Sequence, residues 1–177
     1  MQFDQQRQQM VEHLQRQGIR DHAVLQAMGS VPRELFVSKK SRSRSYNDSP
    51  LPIGYGQTIS QPLIVAVMAA ALERTASDRV LEIGTGSGYA AAVLAQLAAE
   101  VHSVERLSDL ADQAKVHLQQ AGIRNVGVHI GDGTLGWPAH APFDAIVVAA
   151  GGPKVPTALV DQLCAGGRLV MPVGKDR

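Results

Sequence analysis

The sequence predicts an α/β protein: a doubly wound, mostly parallel sheet behind an N-terminal helical cap. Three observations carry that expectation. Short apolar runs alternate with helical periodicities five times between Arg79 and Gly174. The first of those runs, RVLEIG, ends in a glycine-rich turn. The first 60 residues read instead as short helices followed by a Pro/Gly-rich stretch. Repeated strand–helix alternation implies parallel strands, right-handed crossovers and helices on both faces.

The elements follow in order. Asp4 is placed to cap a first helix with Met10, Val11 and Leu14 on one face, and Gly18 closes it. A second short helix begins at Asp21, with Val24, Leu25 and Met28 apolar, and Pro32 opens a turn in VPRELF. The basic, serine-rich SKKSRSRS at 38–45 reads as a solvated surface loop. DSPLPIGYGQTISQP, residues 48–62, then packs Pro50, Pro52, Gly54 and Gly56 ahead of Gln57, Thr58, Ser60 and Gln61. Such breakers exclude a regular helix or a central strand. The stretch reads as a stiff flap, and Pro62 opens the helix LIVAVMAAALE.

Beyond Arg79 come the strand RVLEIG, the helix YAAAVLAQLAAE, the strand VHSVE and the helix LSDLADQAKVHLQQAG. Next are the strands NVGVHIGDG and FDAIVVAAGG, the helix VPTALVDQLCAGG and a fifth strand, RLVMPVG. Cys164 is expected as a buried helix residue.

Length and composition bound the function. A chain of 177 residues fits one domain with a sizeable core. Lys and Arg number 17 against 16 Asp and Glu, a net charge of +1, so no strong field favours nucleic acid or a membrane surface. A single cysteine excludes an internal disulfide framework and fits a reducing compartment. The N-terminus MQFDQQRQQM is polar and the apolar runs are too short to span a bilayer, so a cytoplasmic chain is expected. The six histidines form no HExxH or His/Cys set, and no metal is expected.

The glycine turn EIGTGSGY places Gly84, Gly86 and Gly88 at the end of the first sheet strand. Glycines let the backbone bend sharply and let a ligand approach closely, and open sheets bind ligands outside the carboxyl ends of their strands. A dinucleotide fingerprint requires glycine where Tyr89 stands. Glu82, two residues before Gly84, suits a cationic amino-acid ligand, directly or by fixing the loop amides, better than a pyrophosphate. Glu105 ends the second strand, where a carboxylate can chelate a ribose diol, and Asp132 ends the third, where it can address an adenine edge. S-adenosylmethionine satisfies all three positions.

The chain also resembles the protein-L-isoaspartate O-methyltransferases. The likeness runs through VPRELFV (31–37), PLPIGYGQTISQP (50–62), VLEIGTGSGY (80–89), VERL (104–107), GDGTLGWP (131–138) and GGRLVMPVG (166–174). The PIGYGQTIS segment is specific to that family, whereas the glycine loop is shared by many methyltransferases. The resemblance implies a Rossmann-like class I methyltransferase sheet. It implies methyl transfer from S-adenosylmethionine to the free carboxyl of isoaspartyl residues in damaged proteins, which are the expected partners. It places Thr58, Ile59 and Ser60 at the active site, with Ser60 and Thr58 catalytic. Gly84, Gly86, Gly88, Glu105, Arg106, Asp132 and Gly133 fall at cofactor positions; Ile59 and Ser60 are counted with them, as is Glu82 on its place behind the loop.

The rival readings are a nicotinamide-dependent oxidoreductase, against which Tyr89 and the polar cluster at 57–61 argue, a nucleic-acid or small-molecule methyltransferase, and a catalytically weak cofactor-binding protein. The chain departs from the family pattern twice. AAGGP stands at 149–153 where relatives carry a sequence like TAAAP, and the chain stops at Lys175-Asp176-Arg177 where they continue. The sheet is therefore expected to lack C-terminal strands, and its exposed edge to favour a homodimer or lower stability.

Overall fold

A computed structural model describes residues 2–174. Helix α1 spans Gln2–Arg16 and α2 spans His22–Ser30. Asp4 lies inside the first turn of α1 rather than capping it. Gly18 closes α1 at φ +98°, with the Ile19 amide donating back to the Leu14 carbonyl, as the left-handed end of a helix requires. Asp21 caps α2 by accepting from the Val24 amide at 3.0 Å. The same carboxylate receives Arg74 at 2.6 Å, which ties α2 to the chain just beyond α3 (Pro62–Ala71).

The expected loop at 38–45 is instead a 3-10 helix, Lys39–Arg44, following a 3-10 turn at Arg33–Phe36. Ser41 and Ser45 are buried there. The Ser45 hydroxyl and amide both donate to the Arg42 carbonyl, satisfying a tight turn that charge pattern alone reads as coil.

The flap is a two-stranded antiparallel hairpin of β1 (Leu51–Gly54) and β2 (Gln57–Ile59). It stands apart from the main sheet, which is how it accommodates its prolines. That sheet contains β3 (Arg79–Ile83), β4 (Glu100–Glu105), β5 (Val126–Ile130), β6 (Phe143–Val148) and β7 (Leu163–Val170) in the order β5-β4-β3-β6-β7, with every pairing parallel. The chain winds outward from β3 to β5 and then returns to start β6 on the other side of β3. The gap between β3 and β6 is thus the switch point of the sheet. α4 (Tyr89–Ala95) and α5 (Ser108–Gln120) cover one face together with α1–α3, and the short α6 (Thr157–Val160) lies on the other.

Two helices are shorter than their sequences suggest. α4 ends at Ala95 rather than continuing through Glu100. LCAGG, expected as a helix end, belongs to β7, so Cys164 is a half-buried strand residue beside Asp144. Leu163 pairs with Phe143, but the next matched pair is Ala145 with Arg168. The glycines at 166 and 167 absorb that slip, and a run containing them has no helical propensity to resist it. Residues 175–177, on which the chain-end expectation rested, lie outside the described region.

Three histidines gather on the sheet face opposite α5. His102 Nδ1 and His129 Nε2 are 2.9 Å apart, His140 lies over His102 with centroids 4.1 Å apart, and Trp137 stacks on His129 at 4.2 Å. Burial holds His102 and His129 below the ordinary histidine range. Glu100 opposes the shift at His102, whereas His140 and Arg79 add to it; at His129, His102, His140 and Lys115 add to it. An unfolded histidine takes a proton near pH 6.5, before either buried ring does. Stability from this cluster is therefore complete above that pH and falls as pH drops through it. The melting temperature should decline from pH 7 to pH 5.5 in differential scanning calorimetry, and His129→Gln should flatten that decline.

Candidate active site

The glycine turn leaves β3 through residues that only glycine accommodates easily. Gly84 and Gly86 have φ of +93° and +54°, in the left-handed region that L side chains avoid. The Gly84 amide donates to the Val104 carbonyl, and the Gly86 amide donates to Glu105 Oε2 at 2.9 Å. Glu105 Oε1 receives the Leu107 amide at 3.1 Å. One carboxylate at the end of β4 therefore fixes both its own turn and the loop from β3.

The hairpin roofs this loop. Tyr55, at its tip with φ +52°, donates its hydroxyl to Asp109 at the start of α5, 2.8 Å away. At its base, Asp48 accepts the Leu63 amide at 2.9 Å, and Arg33 Nη2 donates to the Ser60 carbonyl at 2.9 Å. Ile53 of β1 reaches to 3.3 Å from where a Cβ on Gly86 would stand. A side chain at 86 would crowd the Ile53 methyl and strain the left-handed backbone there.

Between roof and loop is a cleft of about 230 Å³, bordered by Gly56–Ser60 of the hairpin, Gly84–Ser87, Tyr89, Glu105 and the Ala149–Ala150 end of β6. It lies at the switch point. The structure brings Thr58, Ile59, Ser60, Gly84, Gly86 and Glu105 together on its wall. The Ile59 side chain is nonetheless 4% exposed and packs into the core.

Glu82 is elsewhere. It is fully buried, and it borders a small, mainly apolar chamber of about 20 Å³ shared with Ser60, Val65 and Ala149. Glu82 does not fix the loop amides, since Glu105 holds the Gly86 amide. Its Oε2 accepts the Ser103 hydroxyl, which is 2.6 Å from Thr85 Oγ1, and its Oε1 has no hydrogen-bond partner among the described residues. Burial, reinforced slightly by Glu105, pushes the Glu82 carboxyl up to about 8 against the pull of Ser103.

Four further candidates lie outside the cleft wall. Gly88, at φ +89°, precedes α4 and abuts Ala114 and Leu118 of α5. A Cβ on Gly133 would fall 2.4 Å from Ile83 Cγ2, so glycine is what lets the turn after β5 close on β3. Asp132 is exposed and caps that turn, accepting the Thr134 amide and hydroxyl at 2.9 and 2.7 Å. Those bonds hold its carboxyl below the usual range, with a smaller contribution from the charge of the exposed Arg106. Glu105 pairs in register with Ile130, so Arg106 and Asp132 follow neighbouring strand ends at the rim.

From sequence, Arg33, Thr85 and Ser103 received no site role, and Tyr89 served only to exclude a dinucleotide fingerprint. An arginine set with Glu34 between the apolar residues of VPRELF was the available signal for the first. Ser103 and Thr85 gave none, because their pairing exists only between β4 and the turn after β3.

Comparison with known proteins agrees with this architecture. The family model for protein-L-isoaspartate(D-aspartate) O-methyltransferase matches residues 5–177. A protein-L-isoaspartate O-methyltransferase 1 of Rhodopseudomonas palustris is 58% identical over 99% of this chain, and the match covers 72% of that protein. A relative of the same enzyme name from a Synechococcus species is 61% identical over 98% of this chain and 71% of its own length. A solved protein-L-isoaspartate O-methyltransferase superposes with a TM-score of 0.87 and 34% identity, over 94% of this chain and 55% of that one. A second structure, a putative member from Plasmodium falciparum in complex with S-adenosyl-L-homocysteine, gives a TM-score of 0.81 and 26% identity over 96% of this chain and 85% of that one. The chain belongs to the protein-L-isoaspartate(D-aspartate) O-methyltransferase family.

Proposed function

We propose that the cleft between the glycine turn and the hairpin transfers a methyl group from S-adenosylmethionine to the free carboxyl of isoaspartyl residues in damaged proteins. One observation supports this most directly. The hydroxyl-bearing end of the hairpin and a glycine-rich turn border the same cleft, at the switch point of the sheet.

The residues present suit such a cofactor. Gly84 and Gly86 offer backbone with no Cβ in the way. Glu105 keeps lone pairs beyond the two used by the Gly86 and Leu107 amides, enough to accept from a ribose diol. Glu82 holds one oxygen unpartnered beneath Ser60, an acceptor for an ammonium donor. Asp132 and Arg106 would serve the base at the rim, while Gly88 and Gly133 keep the surrounding elements close enough to shape the site. The cofactor supplies, when bound, a methyl group already activated by its sulfonium.

The chain is then left with positioning. A terminal-type carboxyl ionises near pH 3.5, so the substrate is anionic at pH 7 and needs no general base. Ser60 is half-buried and Thr58 exposed at the cleft wall, so their hydroxyls can donate to that carboxylate without forming covalent bonds. Alignment of reactants is worth roughly 7–11 kcal/mol in favourable cases, and a hairpin pinned at tip and base provides it while displacing water. The setting proposed is cytoplasmic, supported by the single cysteine. Among the described residues no helix is long and apolar enough to cross a membrane.

Labelled methyl should pass from S-adenosylmethionine to an isoaspartyl peptide and not to its aspartyl counterpart; equal labelling of both would refute the assignment. Ser60→Ala should lower turnover by about ten- to a hundredfold, the scale of one positioned hydrogen-bonding group, with S-adenosylhomocysteine affinity in calorimetry almost unchanged. For Glu82 the sign runs opposite to the histidines. A carboxyl raised from 4.5 to about 8 on folding leaves stability complete below the lower value and erodes it as pH climbs through the higher one. The melting temperature of Glu82→Gln should therefore gain on the parent chain as pH rises from 5 to 8.

A further inference from the structure

Arg33 is the most deeply buried cation among the described residues, with no exposed surface. Nε donates to the Ser45 carbonyl at 2.6 Å and Nη2 to the Ser60 carbonyl at 2.9 Å. Its guanidinium carbon lies 4.6 Å from the centre of the Tyr89 ring, and Nη1 has no hydrogen-bond partner among the described residues. Both acceptors are neutral carbonyls. Asp48, the acid whose charge reaches it, already binds the Leu63 amide and faces His13 at 3.8 Å. No carboxylate is hydrogen-bonded to the guanidinium, so its charge is not neutralised by a direct ion pair.

That field falls on the cleft. Ser60 and Tyr89, the two groups Arg33 touches on that side, both border it. No lysine, arginine or histidine does so among the described residues, whereas Glu105 does. An anionic substrate entering the cleft would meet a carboxylate on the wall and a cation one layer behind Ser60.

We propose that Arg33 is a positioning residue for the substrate carboxylate. It fixes Ser60 through that residue's carbonyl and supplies, from behind the wall, the positive potential that favours an anion over a neutral group. The inference rests on the assignment of Ser60 to the substrate side. It concerns selectivity for the charged form of the substrate, which a purely structural tie would not influence.

Calorimetry in the presence of S-adenosylhomocysteine can compare an isoaspartyl peptide with the analogue whose free carboxylate is a carboxamide. The parent chain should prefer the carboxylate. Arg33→Gln, which keeps a donor for Ser60 but loses the charge, should shrink that preference about tenfold, and Arg33→Lys should retain most of it. Equal weakening of both peptides in Arg33→Gln, or an undiminished preference, would overturn the role of Arg33 while leaving the methyltransferase assignment intact. A parent chain with no preference would overturn both. The parent chain gives a second check that needs no variant: a buried cation is weakly screened, so the preference should survive 0.5 M salt. Loss of the preference in salt would assign it to surface charges instead.

Discussion

The Gly86 amide donates to Glu105 across the gap between two parallel strands, and the cleft takes its shape from that bond. It holds the turn after β3 in a path where Gly84 and Gly86 take left-handed conformations and present bare backbone at the switch point. Once the turn is fixed, α4 begins where Tyr89 can pack against Phe36 with ring centroids 5.7 Å apart, and His117 can meet the Ser87 carbonyl at 3.0 Å. The helical cap, the sheet and α5 are thereby joined around one loop. The hairpin closes over a surface already defined from below.

The electrostatics follow the same layering. Of the two acids nearest the turn, the one on the cleft wall is occupied by backbone amides, and the one beneath it is kept neutral by burial. Negative charge is thus limited where, in the proposed function, an anionic substrate approaches a cationic cofactor. Arg33 adds positive potential without opening a polar path to solvent. Buried charge and buried acid are both expensive in isolation, and their concentration around Ser60 marks the region where the fold sacrifices stability for arrangement.

Much of this was legible in the sequence because it depends on local chemistry. Alternating runs gave the five strands, Asp21 and Pro62 gave two helix starts, and breaker density gave a flap outside the sheet. The elements read wrongly are those decided by tertiary contact. LCAGG joined β7 because Phe143 lay ready to pair with Leu163, and SKKSRSR coiled into a 3-10 helix because burial of Ser41 and Ser45 overrode its charge. At the site, residues on the loop and hairpin could be named from their motif. The Thr85–Ser103–Glu82 chain and the Arg33–Ser60 contact could not, since each spans elements far apart in sequence.

The central claim is that the cofactor lies between the glycine turn and the hairpin, with the hydroxyl of Ser60 facing the group to be methylated. A crystal structure of this chain with S-adenosylhomocysteine and an isoaspartyl peptide addresses it directly. The nucleoside should lie against Gly84–Gly86 and Glu105, with the peptide carboxylate within hydrogen-bond distance of Ser60. Density for the nucleoside in any other groove, or a peptide bound with its carboxylate turned away from the hairpin, would contradict it.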